Sequence, residues 1–351
     1  MNQEQISKLE KAVETMKDKK SRIYLIAQDT KGNAKASISY IYRLALALLN
    51  AGYNPIILHE TPDYTGVAEW LGEEYMTIPH KSIEGQNLEV SPEDLIVIPE
   101  LYGFVMSQVN NLPCGKIVLC QSYDHMLETL QPGQTWSDLG FLKCITTSKK
   151  QQEQVESVMR NVSFDILTPY LSDNFKPKKF PAKPIITVHS RDQRDTVNLI
   201  KSFYIKFPQY RWITFRDMRN LTEKEFANGL DESCLSVWID ETSAYGTYPL
   251  ESMKSEVPVL GLVPNLVPEW MNEDNGLWIN NKTQLVDFIA DYLQNWLEDN
   301  VNENLFIEMA KTVNSLQTKE NFEKEAVELF DKYLTSRQES FTEQLSKLQT
   351  I

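Results

Sequence analysis

Residues 243–276, SAYGTYPLESMKSEVPVLGLVPNLVPEWMNEDNG, bring together groups suited to a phosphate- and hydroxyl-bearing ligand. The run reads as a glycine-containing loop, a short helix holding Glu251, a buried strand over 257–262, a second short helix after Pro268, and a turn at Asn275-Gly276. A loop that opens a helix offers free N–H groups and the positive end of the helix dipole to a phosphate. Gly246 allows the backbone to approach closely. A carboxylate one turn into the helix, Glu251, can accept two hydroxyl hydrogen bonds from a ribose. The same carboxylate could instead satisfy N–H groups of its own helix.

Other chemistries find less support. Cys114, Cys120, Cys144 and Cys234 are scattered without CxxC spacing, which reads as buried reduced thiols. The four histidines form no HExxH pattern, so no metal site is expected. No G-x-G-x-x-G follows an expected strand, which disfavours a dinucleotide oxidoreductase.

The elements that must position these groups repeat in two series. Residues 3–20 have helical spacing of Ile6, Leu9, Val13 and Met16. This N-terminal helix over 1–20 is expected to pack on the first domain; a dimer contact or a membrane-surface helix is the other reading. Short apolar runs at 23–27, 55–59, 95–98, 117–120 and 144–147 alternate with helical stretches across 21–170. That is the pattern of a parallel sheet buried on both faces. The proline- and lysine-rich stretch 171–184 reads as a linker. A second series then follows over 185–318: strand 185–188, helix 196–207, strand 211–215, helix 222–230, strand 235–239 and the opening segment. Helices are expected at 283–299 and 301–315. The tail 319–351 reads as one long helix or a pair, crossing back to the first domain or lying free.

The order Tyr245-Gly246, Leu250-Glu251-Ser252-Met253, Val257-Pro258-Val259, Pro268-Glu269, Asn275-Gly276 resembles the donor-binding segment of GT-B glycosyltransferases, in particular the retaining family 4 group. The resemblance covers residues 22 to about 335 and is most specific over 235–280. It implies an α/β protein of two Rossmann-like doubly wound domains facing a cleft, an acceptor domain followed by a nucleotide-sugar donor domain. It implies transfer of a hexose-type sugar from a nucleotide-diphosphate donor, with retention and without a metal. No resident cofactor is implied, only a co-substrate such as a UDP- or GDP-sugar. The acceptor would be a glycan, a lipid-linked molecule or a protein.

Site residues follow from the same resemblance. Arg191 and Arg194, after the first strand of the second domain, would clamp the diphosphate; with Asp192 and Asp195 nearby they could equally form a surface ion-pair loop. Glu251 would bind the ribose, and Ser243, Tyr245, Gly246, Thr247 and Glu269 would complete the donor site. The family's first Glu is Ser243 here, while Asp240 and Glu241 lie just upstream. In the first domain, Gly32 and Asn33, Glu100, Gln121 and His125 are the acceptor-side candidates. Glu100 is a minor base candidate. A binding or assembly module without turnover, and a sugar-nucleotide epimerase of the same architecture, remain as alternatives.

Composition bounds the partners. At net charge −14, with 49 acidic and 35 basic residues, a nucleic acid would be repelled. No apolar run is long enough to span a bilayer. A cytoplasmic protein is the expectation, with a peripheral position at the inner membrane face and a homo-oligomer as options.

Overall fold

The computed structural model describes residues 3–64, 70–85, 88–178, 182–242, 244–300 and 302–349. It divides into two compact units, residues 1–169 with 319–351 and residues 170–318.

The first unit begins with α1 (Gln3–Lys17) and β1 (Arg22–Ile26). It continues with α2 (Ala36–Asn50), β2 (Asn54–His59), β3 (His80–Ser82), β4 (Leu95–Pro99) and α3 (Gly103–Val109). Then come β5 (Gly115–Cys120), α4 (Tyr123–Thr129), β6 (Lys143–Thr146), α5 (Lys149–Glu156) and β7 (Ser163–Ile166). The seven strands form one sheet in the order β3-β2-β1-β4-β5-β6-β7, all parallel. Consecutive residues of β1 and β4 are buried, so both faces of the sheet are covered, and this is why the strands read as unbroken apolar runs. Helix α2 is apolar nearly all round and buried from Ile38 to Leu48, as a helix set into a core must be.

The second unit contains β8 (Lys183–Ser190), α6 (Gln193–Lys206), β9 (Thr214–Asp217), α7 (Glu223–Asp231) and β10 (Ser233–Ile239). It ends with α8 (Thr247–Lys254), β11 (Val259–Leu262), β12 (Leu277–Ile279), α9 (Leu285–Leu297) and α10 (Glu303–Asn314). Its parallel sheet has the order β12-β11-β10-β8-β9. The proline-rich stretch before β8 is packed on this unit: Leu171 lies in a cluster with Trp238 and Trp270, and Phe175 in one with Phe226 and Val257. The carbonyls of Leu171 and Ser172 accept hydrogen bonds from Lys254 Nζ. Residues 268–271 form a turn closed by Met271 N–H to the Pro268 carbonyl, where a short helix was expected. Pro268 and the Asn275 side chain hold this stretch to turn geometry. Among the described residues no helix is long and apolar enough to cross a membrane, and no group of three or more His, Cys, Asp or Glu could hold a metal ion.

The chain then returns to the first unit as α11 (Lys319–Gln349), a single helix. Phe322 is fully buried and meets the Tyr40 ring edge-on at 5.7 Å. Tyr333 Oη donates to Asp165 Oδ2 at 2.9 Å, and Arg337 donates to the carbonyls of Pro92 and Pro113, each at 2.7 Å. The tail is thus part of the first unit's core. Phe322→Ala should destabilise that unit by about 3–5 kcal/mol, the cost of emptying a buried aromatic site. Ile205→Ala, at an 81% exposed position, should cost less than about 0.5 kcal/mol. Denaturant unfolding of both variants against the parent chain measures the difference.

Candidate functional site

In an open parallel sheet, ligands bind where successive connections leave a strand end in opposite directions. In the second unit this point lies between β8 and β10, because β8 is followed by β9 on one side and the chain returns on the other. The register pairs Trp238 with His189 and Ile239 with Ser190. The next residues, Arg191 and Asp240, meet across the gap: Arg191 Nε donates to Asp240 Oδ2 at 2.8 Å. Asp240 also accepts from Thr242 N–H at 3.0 Å, which fixes the start of the loop into α8.

Arg194 is placed differently. Asp192 caps α6 by accepting from Arg194 N–H, and the Arg194 fork closes on the same carboxylate at 2.8 Å. Its side chain is 86% exposed. Asp195 pairs with Lys282. Of the two arginines, only Arg191 stands at the gap between β8 and β10.

The loop into α8 ends at Gly246, which adopts φ +75° as the N-cap. A Cβ there would lie 3.1 Å from Trp270 Cζ2. Trp270 Nε1 donates to the Tyr245 carbonyl at 2.6 Å and packs edge-on against Trp278, which packs edge-on against Trp238. Asn275, fully buried, donates to the Trp270 carbonyl and to Thr312 Oγ1, and accepts from Trp278 Nε1. Three tryptophans and one asparagine therefore set the loop. Tyr245 is half-buried, and burial together with the Glu269 charge raises its hydroxyl pKa. Glu269 itself is exposed. Helix α8 is tied to β10 by Ser252 Oγ, which donates to Ser236 Oγ at 3.0 Å. Glu251, one turn into α8, is buried. Ser243 lies outside the described residues.

Sequence reasoning did not single out His189, Ser190 or Thr196. His189 lies against Tyr248 of α8, ring centroids 3.8 Å apart, with Phe226 edge-on. Burial pushes its pKa down to about 4, partly opposed by Asp240 and reinforced by Arg191. Among the described residues of the second unit, the enclosed side-chain polar atoms without a hydrogen-bond partner are His189 Nδ1, Ser190 Oγ, Thr196 Oγ1 and Thr247 Oγ1. All four belong to the end of β8 or to the first turns of α6 and α8. Buried polar groups are normally satisfied, so these four stand out in the second unit. The only sequence signal for it was the unusual polarity of His189-Ser190 at the end of an apolar strand.

In the first unit the corresponding gap lies between β1 and β4. The loop after β1 carries Lys31 and Gly32 at positive φ and turns through Asn33 N–H to the Thr30 carbonyl. Gln121 Nε2 donates to the Ser37 carbonyl at 3.1 Å, joining the end of β5 to the first turn of α2. Glu100 is 1% exposed and accepts from Gln121 N–H at 3.0 Å and Ser122 N–H at 2.9 Å. His125 Nδ1 stands 3.8 Å from Glu100 Oε1. Both Glu100 oxygens accept from backbone donors, so the carboxylate anchors the loop after β5.

Two outcomes test this geometry. Gly246→Ala should cost about 1–2 kcal/mol, because a left-handed backbone strains any L side chain; thermal or denaturant unfolding measures it. His189 has a folded pKa below its unfolded value, so the stability tied to its neutrality is complete above pH 6.5 and is lost as the pH falls toward 4. Tyr248→Ala, which uncovers the ring, should raise the His189 midpoint by about one unit or more, read by NMR titration.

No protein-family model matches the chain. A curated α-1,6-glucosyltransferase of Actinobacillus pleuropneumoniae serotype 7 is 21% identical over 210 residues, 54% of this chain and 62% of that protein. The chain thus spans less than two thirds of that relative's length. Sucrose-phosphate synthase of Thermosynechococcus elongatus superposes with a TM-score of 0.65 at 14% identity, over 90% of this chain and 100% of that one. The Anabaena protein HepE, solved with UDP and glucose, superposes with a TM-score of 0.56 at 11% identity, over 93% and 100%. With its two parallel α/β sheets and these neighbours, the chain has the GT-B glycosyltransferase fold.

Proposed function

We propose that the protein is a glycosyltransferase that moves a hexose-type sugar from a nucleotide-diphosphate donor to an acceptor hydroxyl, with retention. The observation that carries this reading is the position of Arg191 at the gap between β8 and β10, the point where an open parallel sheet binds its ligand, in a chain with the GT-B fold. A diphosphate needs a cation and N–H or O–H donors, and this edge supplies both. Arg191 is assigned the diphosphate. Arg194 is assigned no contact, because its fork is closed on Asp192 in solvent.

Glu251 is assigned the ribose hydroxyls, and the 243–247 loop with Glu269 the donor sugar. The glycosidic bond to the diphosphate breaks as the acceptor oxygen bonds to the sugar, and the acceptor proton passes to the departing phosphate oxygen. Charge grows on that oxygen in the transition state. Arg191 and the α8 dipole act where it grows, which lowers the barrier more than it tightens ground-state binding. The first unit, with Gly32, Asn33, Gln121 and His125 at its carboxyl edge, is assigned the acceptor. The name of the curated relative and the UDP- and glucose-bound neighbour support a glucosyl donor.

Calorimetric titration with UDP, GDP and ADP tests the donor site. One nucleotide should bind selectively, and Glu251→Ala and Arg191→Ala should each weaken it tenfold or more, about 1.4 kcal/mol. Absence of binding across the three nucleotides sinks the proposal. Binding, with no release of sugar from the matching nucleotide sugar at any acceptor, would leave a binding module in place of a transferase.

A further inference from the structure

Two of the four histidines stand face to face in the first unit. His59 ends β2 and His80 begins β3, and the register of the two strands sets them two residues apart on one face. Their ring centroids are 5.4 Å apart with planes 3° from parallel. Tyr64 stacks on both, at 4.5 Å from His59 and 5.6 Å from His80.

The protons of this cluster can be counted. His59 Nδ1 lies 3.1 Å from the Ala27 carbonyl, which can only accept, so Nδ1 carries the hydrogen. His80 likewise donates to the backbone carbonyl of Ile78. A neutral imidazole has one N–H, so both Nε2 atoms are bare acceptors. Both point at one hydroxyl: Tyr42 Oη is 2.8 Å from His80 Nε2 and 3.4 Å from His59 Nε2. One hydroxyl proton cannot serve two acceptors. It goes to His80, the shorter contact, and His59 Nε2, on a fully buried residue, is left short by one proton.

We propose that His59, Tyr42 and His80 form a buried one-proton site that senses acid. A single added proton completes the chain: the ring that takes it at Nε2 donates to Tyr42 Oη, and Tyr42 O–H donates to Nε2 of the other ring. No covalent bond changes, and the proton comes from solvent. A second proton is excluded, because it would charge both stacked rings and leave Tyr42 with two donors facing it.

The titratable groups that face the pair are Tyr42 from α2, Tyr64 from the connection after β2, and Asp29 from the loop after β1. Asp29 is the compensating charge for the added proton. Burial holds both histidines neutral, His59 down to about 4, so the site fills only in acid. Both folded values lie below 6.5. Stability is therefore full above pH 6.5 and is lost as the pH falls toward 4. Because His59 is bonded to the end of β1 and covered by Tyr64, the proton acts on the two loops at this edge of the sheet. The site does not depend on the transfer reaction proposed above.

Two-bond proton–nitrogen NMR of the full chain, labelled with nitrogen-15 histidine and titrated from pH 8 to 3.5, tests it. Variants His125→Gln and His189→Gln assign the other two rings. At pH 7 both His59 and His80 should carry hydrogen on Nδ1 alone. On acidification the pair should take up one proton with a midpoint well below 6.5. Tyr42→Phe removes the hydroxyl that both Nε2 atoms share and should weaken proton uptake by the pair at least tenfold, one unit in midpoint. Hydrogen on Nε2 at pH 7, two independent midpoints near 6.5, an unchanged midpoint in the folded variant, or unfolding before proton uptake would each overturn the proposal.

Discussion

The placement of β8 between β10 and β9, parallel to both, is the constraint on which the rest of the second unit depends. A strand paired on both sides has no freedom of register without losing two ladders. Its register with β10 puts His189 opposite Trp238 and Ser190 opposite Ile239, so the next residue on each strand, Arg191 and Asp240, must meet at the sheet edge. A slip of one residue would exchange the faces of His189 and Ser190 and part the ion pair. The stacking of His189 on Tyr248 follows from the same register, because α8 starts from the loop that leaves β10.

The loop between β10 and α8 is held from the other side of the sheet. Trp238 and Trp270 each pack edge-on against Trp278, and Trp270 spends its N–H on the Tyr245 carbonyl. The indole fills the space a side chain at residue 246 would occupy. The backbone angle favours glycine there, and the neighbouring ring leaves little room for a Cβ. The buried Asn275 distributes its donors and acceptor over Trp270, Thr312 and Trp278, which joins the turn after β11, β12 and α10 in a single network. Such a network fixes a loop more firmly than its separate bonds, because each buried group left unpaired would cost more than the bond itself contributes.

The parallel sheets were legible because strands buried on both faces leave unbroken apolar runs: β1, β4 and β5 in one unit, β8 and β10 in the other. The strands that escaped notice are β3, β7 and β12, with sequences HKS, SFDI and LWI. Each lies at a sheet edge, paired on one side and partly exposed, so no apolar run is needed to hold it. β9 was expected at 211–215 and lies at Thr214–Asp217, because Trp212 stays in the preceding turn at 49% exposure and Ile213 alone enters the core. The loop and the short helix that carry Gly246, Thr247 and Glu251 were legible as elements. Which of two arginines faces the strand gap could not, since that is decided by the N-cap Asp192 capturing Arg194. The unpartnered hydroxyls were invisible for a similar reason: serine and threonine near strand and helix ends usually find local partners.

Charge decides how such a site can work. The chain carries −14 overall, so the long-range field opposes an anionic ligand, and attraction has to be local. The cation at the strand gap, Arg191, is already engaged by Asp240, whose side chain is 12% exposed against 48% for the arginine. A diphosphate arriving there need not break that pair. A guanidinium has five N–H donors in a planar fork, and Asp240 takes the one on Nε. In this arrangement Asp240 orients the arginine and lessens its net charge. On the proposed reading, the remaining stabilisation falls to neutral donors at the head of α8. Neutral donors fixed by a folded scaffold need no reorganisation as charge develops on a leaving group, whereas a mobile surface cation does. The three-tryptophan cluster fixes the backbone at Tyr245, just before α8.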